Sequence, residues 1–167
     1  MALCCALYDT AIGDVTLEAT DKAVTGLKFG AYAFPGATQA ENVVLYDAIM
    51  ELNQFFFGQR KSFDIKLDFQ SCSDEAKRVY EYVLRIPFGE LVPYSKACAD
   101  LGVELHFLQQ ILVDNPLPIF IPDHRVVGEN LTLGVYSGEL KLKKDLILFE
   151  RKNRDKNFSV NQNYSDD

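Results

Sequence analysis

Residues 5–30, CALYDTAIGDVTLEATDKAVTGLKFG, alternate apolar and polar side chains around Ile12-Gly13-Asp14 and Asp21-Lys22. A period of two broken by short polar turns predicts antiparallel strands in a meander. The segment ATQAENVVLYDAIMELNQFFFGQ then sets Val43, Val44, Ala48, Ile49, Leu52, Phe55 and Phe56 at helical spacing and stops at Gly58. That pattern predicts one amphipathic helix. The next stretch, KSFDIKLDF, reads as a strand.

After Phe69 the pattern changes. SCSDEAKRVYEYVLRIP offers a Ser cap, acids in the first turn, and Val79, Tyr80, Val83, Leu84 and Ile86 on one face before Pro87. This is a helix with both ends marked. A turn at Phe88-Gly89 leads to a helix over Ser95–Leu101, closed by Gly102, and a short turn leads to another over about Glu104–Val113. Two helices about a glycine turn fit a helix-turn-helix unit or a plain helical hairpin. NPLPIFIPDHRVV is a proline-broken loop running into a short apolar strand, succeeded by a Gly-rich hairpin to Gly138 and a last helix over about Lys141–Arg151. The end, NRDKNFSVNQNYSDD, is polar and expected to fray. The boundary between a sheet-containing half and a mainly helical half is expected at Phe69–Ser73. The domains then run 1–70 and 71–155, with a tail at 156–167.

Length allows this division, since a domain of about 150 residues hides roughly two-thirds of the surface its unfolded chain exposes. The chain has 167 residues, 48% of them hydrophobic and 25% charged, which is globular composition. A net charge of −7 argues against nonspecific nucleic-acid binding, which needs clustered Lys and Arg. The N-terminus MALCCALYDTAIGD carries no basic leader with an apolar core, and no run of about 18 apolar residues occurs. The expected location is the cytoplasm, or the nucleus in a eukaryote. Cys4, Cys5, Cys72 and Cys98 form neither a ligand pair nor a disulfide framework. With only His106 and His124 beside them, no metal site and no cofactor are expected.

The proline-broken loop and the segment after it carry a specific signal. NPLPIFIPDHRVV and then LGVYSGELKLKKDLILFE resemble the active-site block of the O6-alkylguanine-DNA alkyltransferases, which reads close to NPxPIxIPCHRVV and then a G-x-YSGG-x-x-x-K-x-x-LL-x-x-E segment. The likeness extends to IPFGELVPYSKACADLG and, more weakly, to GDVTLEATDKAVTGLKFG and ELNQFFFGQRKSFDIKLDFQ, so it spans most of the chain in order. It implies a ribonuclease-H-like α/β N-terminal domain and a mainly helical, winged-helix-like C-terminal domain, an α+β fold overall. It also implies a mechanism. A cysteine just before His124 takes the alkyl group from O6 of a flipped guanine, His124 removes the thiol proton through a water, and Glu150 fixes the imidazole tautomer. By the same resemblance Asn115 stabilises the preceding turn, Tyr94 helps rotate the nucleotide, and Tyr136 and Ser137 line the base pocket. Arg125, Val127 and Gly138 fall on the substrate- or DNA-binding side.

The acceptor position holds Asp123 instead. A thiolate is a soft, strong nucleophile whose thioether product is stable, whereas a carboxylate is weakly nucleophilic and gives a hydrolysable ester. Irreversible self-alkylation is therefore not expected. Three readings are open: an alkyltransferase-like binder of alkylated double-stranded DNA or repurposed pseudoenzyme, with a possible repair-protein partner; a protein-interaction module that no longer touches DNA; or an Asp123-dependent hydrolase of small alkylated purines. Alternatively, Asp123, His124 and Glu150 form a buried network that only locks the loop. Flanked by two acids, His124 is expected to titrate above about 6.5.

The helix implied to enter the minor groove is altered as well. Counting back from Asn115, the family's groove-filling arginine falls at His106, and its small pair at Gln109 and Gln110. VELHFLQQILVDNP contains Glu104 and Asp114 but no Lys or Arg, so family-type DNA binding is expected to be weakened. Lys96, Arg125, Lys141, Lys143, Lys144, Arg151, Lys152 and Arg154 offer a basic edge or a solvated helix face. A monomer without membrane association is expected.

Overall fold

The computed structural model describes residues 2–156. All but the first residue of the expected tail at 156–167 lies outside them. The chain divides into two compact units, one reaching to Asp68 and the other spanning Phe69–Arg154.

In the first unit, β1 (Leu3–Thr10), β2 (Gly13–Ala19) and β3 (Val24–Phe29) form the antiparallel meander. β4 (Ala37–Gln39) adds to β1 in parallel, giving the order β3-β2-β1-β4. This three-residue strand has too few side chains to show an alternation. Gly13 turns the first hairpin at φ 103°, a left-handed conformation that costs glycine little. α1 (Val43–Phe56) buries Val44, Leu45, Ala48, Ile49, Leu52 and Phe55, and its Asn42 cap accepts from Leu45 N at 2.8 Å. Val43, expected on that face, is 75% exposed. At about 100° per residue the buried positions span the arc from Val44 round to Ile49, and Val43 falls outside it.

The expected strand at 61–69 does not form. Val24 N donates to Lys66 O at 2.9 Å and Asp68 N to Val24 O at 2.8 Å, a single bridge on β3. Upstream, the N–H groups of Asp64 and Ile65 donate to the Glu51 carboxylate on α1 at 2.8 and 3.1 Å. A side chain thus takes the donors a neighbouring strand would have used.

In the second unit, α2 (Asp74–Leu84) starts at Ser73, whose Oγ accepts from Ala76 N at 3.1 Å. It buries Val79, Tyr80 and Val83, while Leu84 turns to solvent. α3 (Tyr94–Leu101) ends at Gly102, which adopts φ 69°, and α4 (Leu105–Val113) comes next, with Glu104 at its N-cap position. β5 (Val92–Pro93) pairs in parallel with β6 (Val126–Val127), and α5 (Leu140–Asn153) closes the unit. The expected hairpin to Gly138 is replaced by a 3-10 turn at Glu129–Leu131 and irregular chain. The carbonyls of Leu133 and Val135 in this stretch are satisfied by the buried Lys143, and not by a strand ladder. No helix among the described residues is long and apolar enough to cross a membrane.

Candidate active site

The chain between α4 and β6 reaches Asp123 through a strained, tightly bonded turn. Asn115, buried, donates from Nδ2 to Ile121 O at 2.9 Å and accepts from Leu117 N at 2.9 Å on Oδ1. Ile121 N donates to Leu117 O at 2.8 Å, closing the same turn. Within it Ile119 sits at φ 75°, an unfavourable conformation for a β-branched residue, held by packing that leaves its side chain 1% exposed. A 3-10 turn, Asp123–Arg125, comes directly after and buries all three of its side chains.

Two cations hold this turn in place. Arg125 grips Glu150 of α5 bidentately, Nε to Oε1 at 2.8 Å and Nη2 to Oε2 at 2.9 Å, and donates from Nη1 to Ile86 O at 2.7 Å. Glu150 also accepts from Gly89 N at 3.1 Å and contacts His124 Nε2 at 2.6 Å. Burial pushes the Glu150 carboxyl up, but His124 and the Arg125 guanidinium more than offset this and hold it at about 2. Lys143, fully buried, donates its ammonium hydrogens to the carbonyls of Val126, Leu133 and Val135. Burial lowers it to about 8, against the pull of Asp123.

These contacts correct two expectations. Arg125 and Lys143 are not members of a basic surface edge; the six that remain exposed are Lys96, Lys141, Lys144, Arg151, Lys152 and Arg154. Lys96 and Lys141 pair with Asp100 and Asp145, each at 3.1 Å. Val127 is likewise buried. The loop-holding role of Lys143 has a signal in the sequence: Lys143, Leu146, Ile147 and Glu150 repeat at the spacing of one helix face.

His124 also departs from expectation. Its pKa is lowered, because burial penalises the imidazolium and Arg125 already balances Glu150's single charge. The ring is neutral, and the ionised carboxylate fixes its hydrogen on Nε2. Nδ1 is left as an acceptor, buried and without a partner among the described residues.

Asp123 is 1% exposed. Its Oδ2 accepts from Ser137 N at 3.3 Å, while Oδ1 and Ser137 Oγ are buried without a hydrogen-bond partner. Burial raises its carboxyl to about 7, although Ser137, Asn115 and Lys143 each favour the carboxylate. The serine hydroxyl is thus near enough to act electrostatically, yet outside hydrogen-bond geometry. Tyr136 is buried, and its phenol is pushed up by burial and by Asp123. Gly138 is half-buried beyond Ser137. Tyr94, buried at the start of α3, accepts from Val135 N at 2.7 Å. A Cβ at Gly134 would overlap that hydroxyl, so glycine permits the approach. The structure thus holds three bonded groups along this stretch, the Asn115 turn, the Asp123–Ser137 contact and the His124–Arg125–Glu150 set, with Tyr136 buried and Tyr94 bonded to Val135.

His106 stands apart on α4. It is exposed, lies 3.6 Å from Glu104 and stacks on Phe107 with ring centroids 4.3 Å apart. Gln109 is half-buried next to Tyr94, and Gln110 is exposed and donates to Asp114 at 2.9 Å. No group of three or more His, Cys, Asp or Glu side chains suited to a metal occurs among the described residues.

Comparison with known proteins agrees with this division of the chain. Residues 3–69 match the ribonuclease-like domain of the 6-O-methylguanine DNA methyltransferases, and residues 74–152 match their DNA binding domain. A methylated-DNA--protein-cysteine methyltransferase of Mycolicibacterium paratuberculosis is 32% identical over 149 residues, covering 86% of this chain and 90% of its own. A protein of Thermus thermophilus named DNA base-flipping protein is 30% identical over 142 residues, covering 84% and 95%. Among solved structures, Mycobacterium tuberculosis OGT in complex with DNA superposes with a TM-score of 0.81 at 26% identity, covering 89% of this chain and 93% of that one. With both of its units matched, the chain belongs to the 6-O-methylguanine DNA methyltransferase family.

Proposed function

We propose that this protein binds O6-alkylguanine in DNA through the loop that carries Asp123 and does not take up the alkyl group. The observation that carries the reading is a buried carboxyl at the position where the resemblance implies the acceptor thiol. Beside it stand a neutral imidazole oriented by Glu150 and an unpartnered serine hydroxyl. Buried polar atoms without partners cost about 1–3 kcal/mol each. Their retention around Tyr136 fits a pocket that a polar base completes. His124 keeps the state of a general base but has no thiol to activate. Stable alkyl capture at Asp123 is disfavoured, since a carboxylate is a weak nucleophile toward an alkyl carbon and gives a hydrolysable ester.

DNA binding draws support from the matched DNA binding domain and from relatives named methylated-DNA--protein-cysteine methyltransferase and DNA base-flipping protein. Anisotropy titration of an O6-methylguanine duplex against an unmodified duplex, across salt, tests the proposal. Preference for the lesion is expected, with affinity falling as salt rises. Absence of binding to either duplex at low salt would refute it. That outcome would favour a second reading, an interaction module that has left DNA. One observation supports it: α4 offers Leu105, His106 and Phe107 to solvent beside Glu104, with no Lys or Arg between Val103 and Asn115.

A further inference from the structure

α1 carries a second apolar stripe that the first unit leaves uncovered. Val43 is 75% exposed, Tyr46 51%, Met50 43% and, just past the helix end, Phe57 72%. With Asn53, these positions are spaced by steps of three and four and fall within about 80° of arc, opposite the buried face. That is the seam of a two-helix contact. The seam is also self-complementary. Reversed end for end about Met50 it overlays itself to within one residue, with Val43 facing Phe57 and Tyr46 facing the step between Asn53 and Gln54.

We infer that α1 pairs antiparallel with α1 of a second copy of this chain, Met50 lying on the two-fold axis. Charge favours this orientation over a parallel one. The beginning of α1 carries Glu41 and Asp47, and its end carries Arg60 and Lys61. Arg60 Nε donates to Gln54 Oε1 at 3.0 Å, so the guanidinium lies along the flank that Asp47 of the other copy reaches. Arg60 also meets Glu51 and Asp64 within the copy, so Asp47 adds one partner to an existing group. Antiparallel α1 helices align their dipoles favourably, whereas a parallel pair would set Glu41 against Glu41. A C2 contact of this kind uses one patch twice. The four side chains present on the order of 400 Å² per copy, below the roughly 800 Å² per partner of a standard interface. The pair therefore forms at high micromolar concentration and dissociates on dilution.

Sedimentation velocity from 5 to 500 µM, on the full chain, is the test. The sedimentation coefficient is expected to rise with concentration, and M50E, which sets two charges on the axis, should abolish the rise. V43K, at the rim, should shift the midpoint by about tenfold. Circular dichroism confirms that both variants fold. M50C treated with a short bis-maleimide, with peptides mapped to exclude the native cysteines, should cross-link to itself, whereas V43C should not. A concentration-independent monomer without a 50–50 cross-link would overturn the inference. A 43–43 cross-link as abundant as 50–50 would overturn the antiparallel arrangement.

Discussion

Replacing Asp123 by Asn should stabilise the protein, by an amount that depends on pH in a defined way. The carboxyl moves from 3.8 in the unfolded chain to about 7 in the fold, where burial is the largest cause. A raised carboxyl pKa means that full stability is present below about 3.8 and is lost as pH rises through about 7. At 1.36 kcal/mol per unit, the folded protein bears about 1 kcal/mol of this cost at pH 4.5 and about 4 kcal/mol at pH 7.5, as upper bounds. Asparagine is isosteric and neutral, so its advantage should grow by up to about 3 kcal/mol between those values. Its own amide must also be desolvated, which reduces the absolute gain but not its growth with pH. Lys143, which titrates near 8, is kept charged by stopping at pH 7.5. Urea unfolding of both proteins at pH 4.5, 6.0 and 7.5 gives the difference directly. An advantage that is constant across pH, or a variant less stable at pH 7.5, would refute the account of Asp123 as a buried carboxyl close to neutrality.

The same cluster sets further expectations. Glu150→Gln leaves Arg125 buried without its counter-charge and should cost about 3–5 kcal/mol at neutral pH, measured by chemical unfolding. Because the Glu150 carboxyl is held at about 2, the stability it contributes is present above about 4.5 and lost as pH falls toward 2; acid unfolding should therefore begin at higher pH in a variant that weakens its contacts. Lys143→Met removes the donor to the carbonyls of Val126, Leu133 and Val135, and hydrogen exchange should accelerate across residues 126–137, with α2 unaffected. Asp123→Cys should restore uptake of one alkyl group per chain from O6-benzylguanine, monitored by intact mass; a folded variant that stays unmodified would mean that His124, Tyr136 and Ser137 do not form a pocket.

Where the chain makes its own periodic pattern, the elements are legible in sequence. The meander of β1 to β3, the buried stripe of α1 and the capped start of α2 each arise from spacing within one segment. The 61–69 stretch misleads because its N–H groups are taken by Glu51, a partner that alternation in KSFDIKLDF does not reveal. The Gly-rich segment before Gly138 misleads for the same reason, its carbonyls being claimed by Lys143. Charge counts treat Arg125 and Lys143 as surface cations, although the apolar run around Val126 and the helical spacing of Lys143 with Glu150 point inward. The pKa of His124 is misjudged in direction when flanking acids are counted without the burial of the ring, the largest cause, and the opposing charges of Arg125 and Lys143. Asp123 itself needs no structure to be noticed, but its burial, which sets its protonation, does.

Whether Asp123 has ended alkyl uptake is read from the intact mass of the unsubstituted chain after prolonged incubation with excess O6-methylguanine duplex, with peptide mapping of residues 116–125. An unchanged mass is expected, with the lesion still present in the recovered DNA. A stable gain of one methyl group on the Asp123 peptide would contradict it.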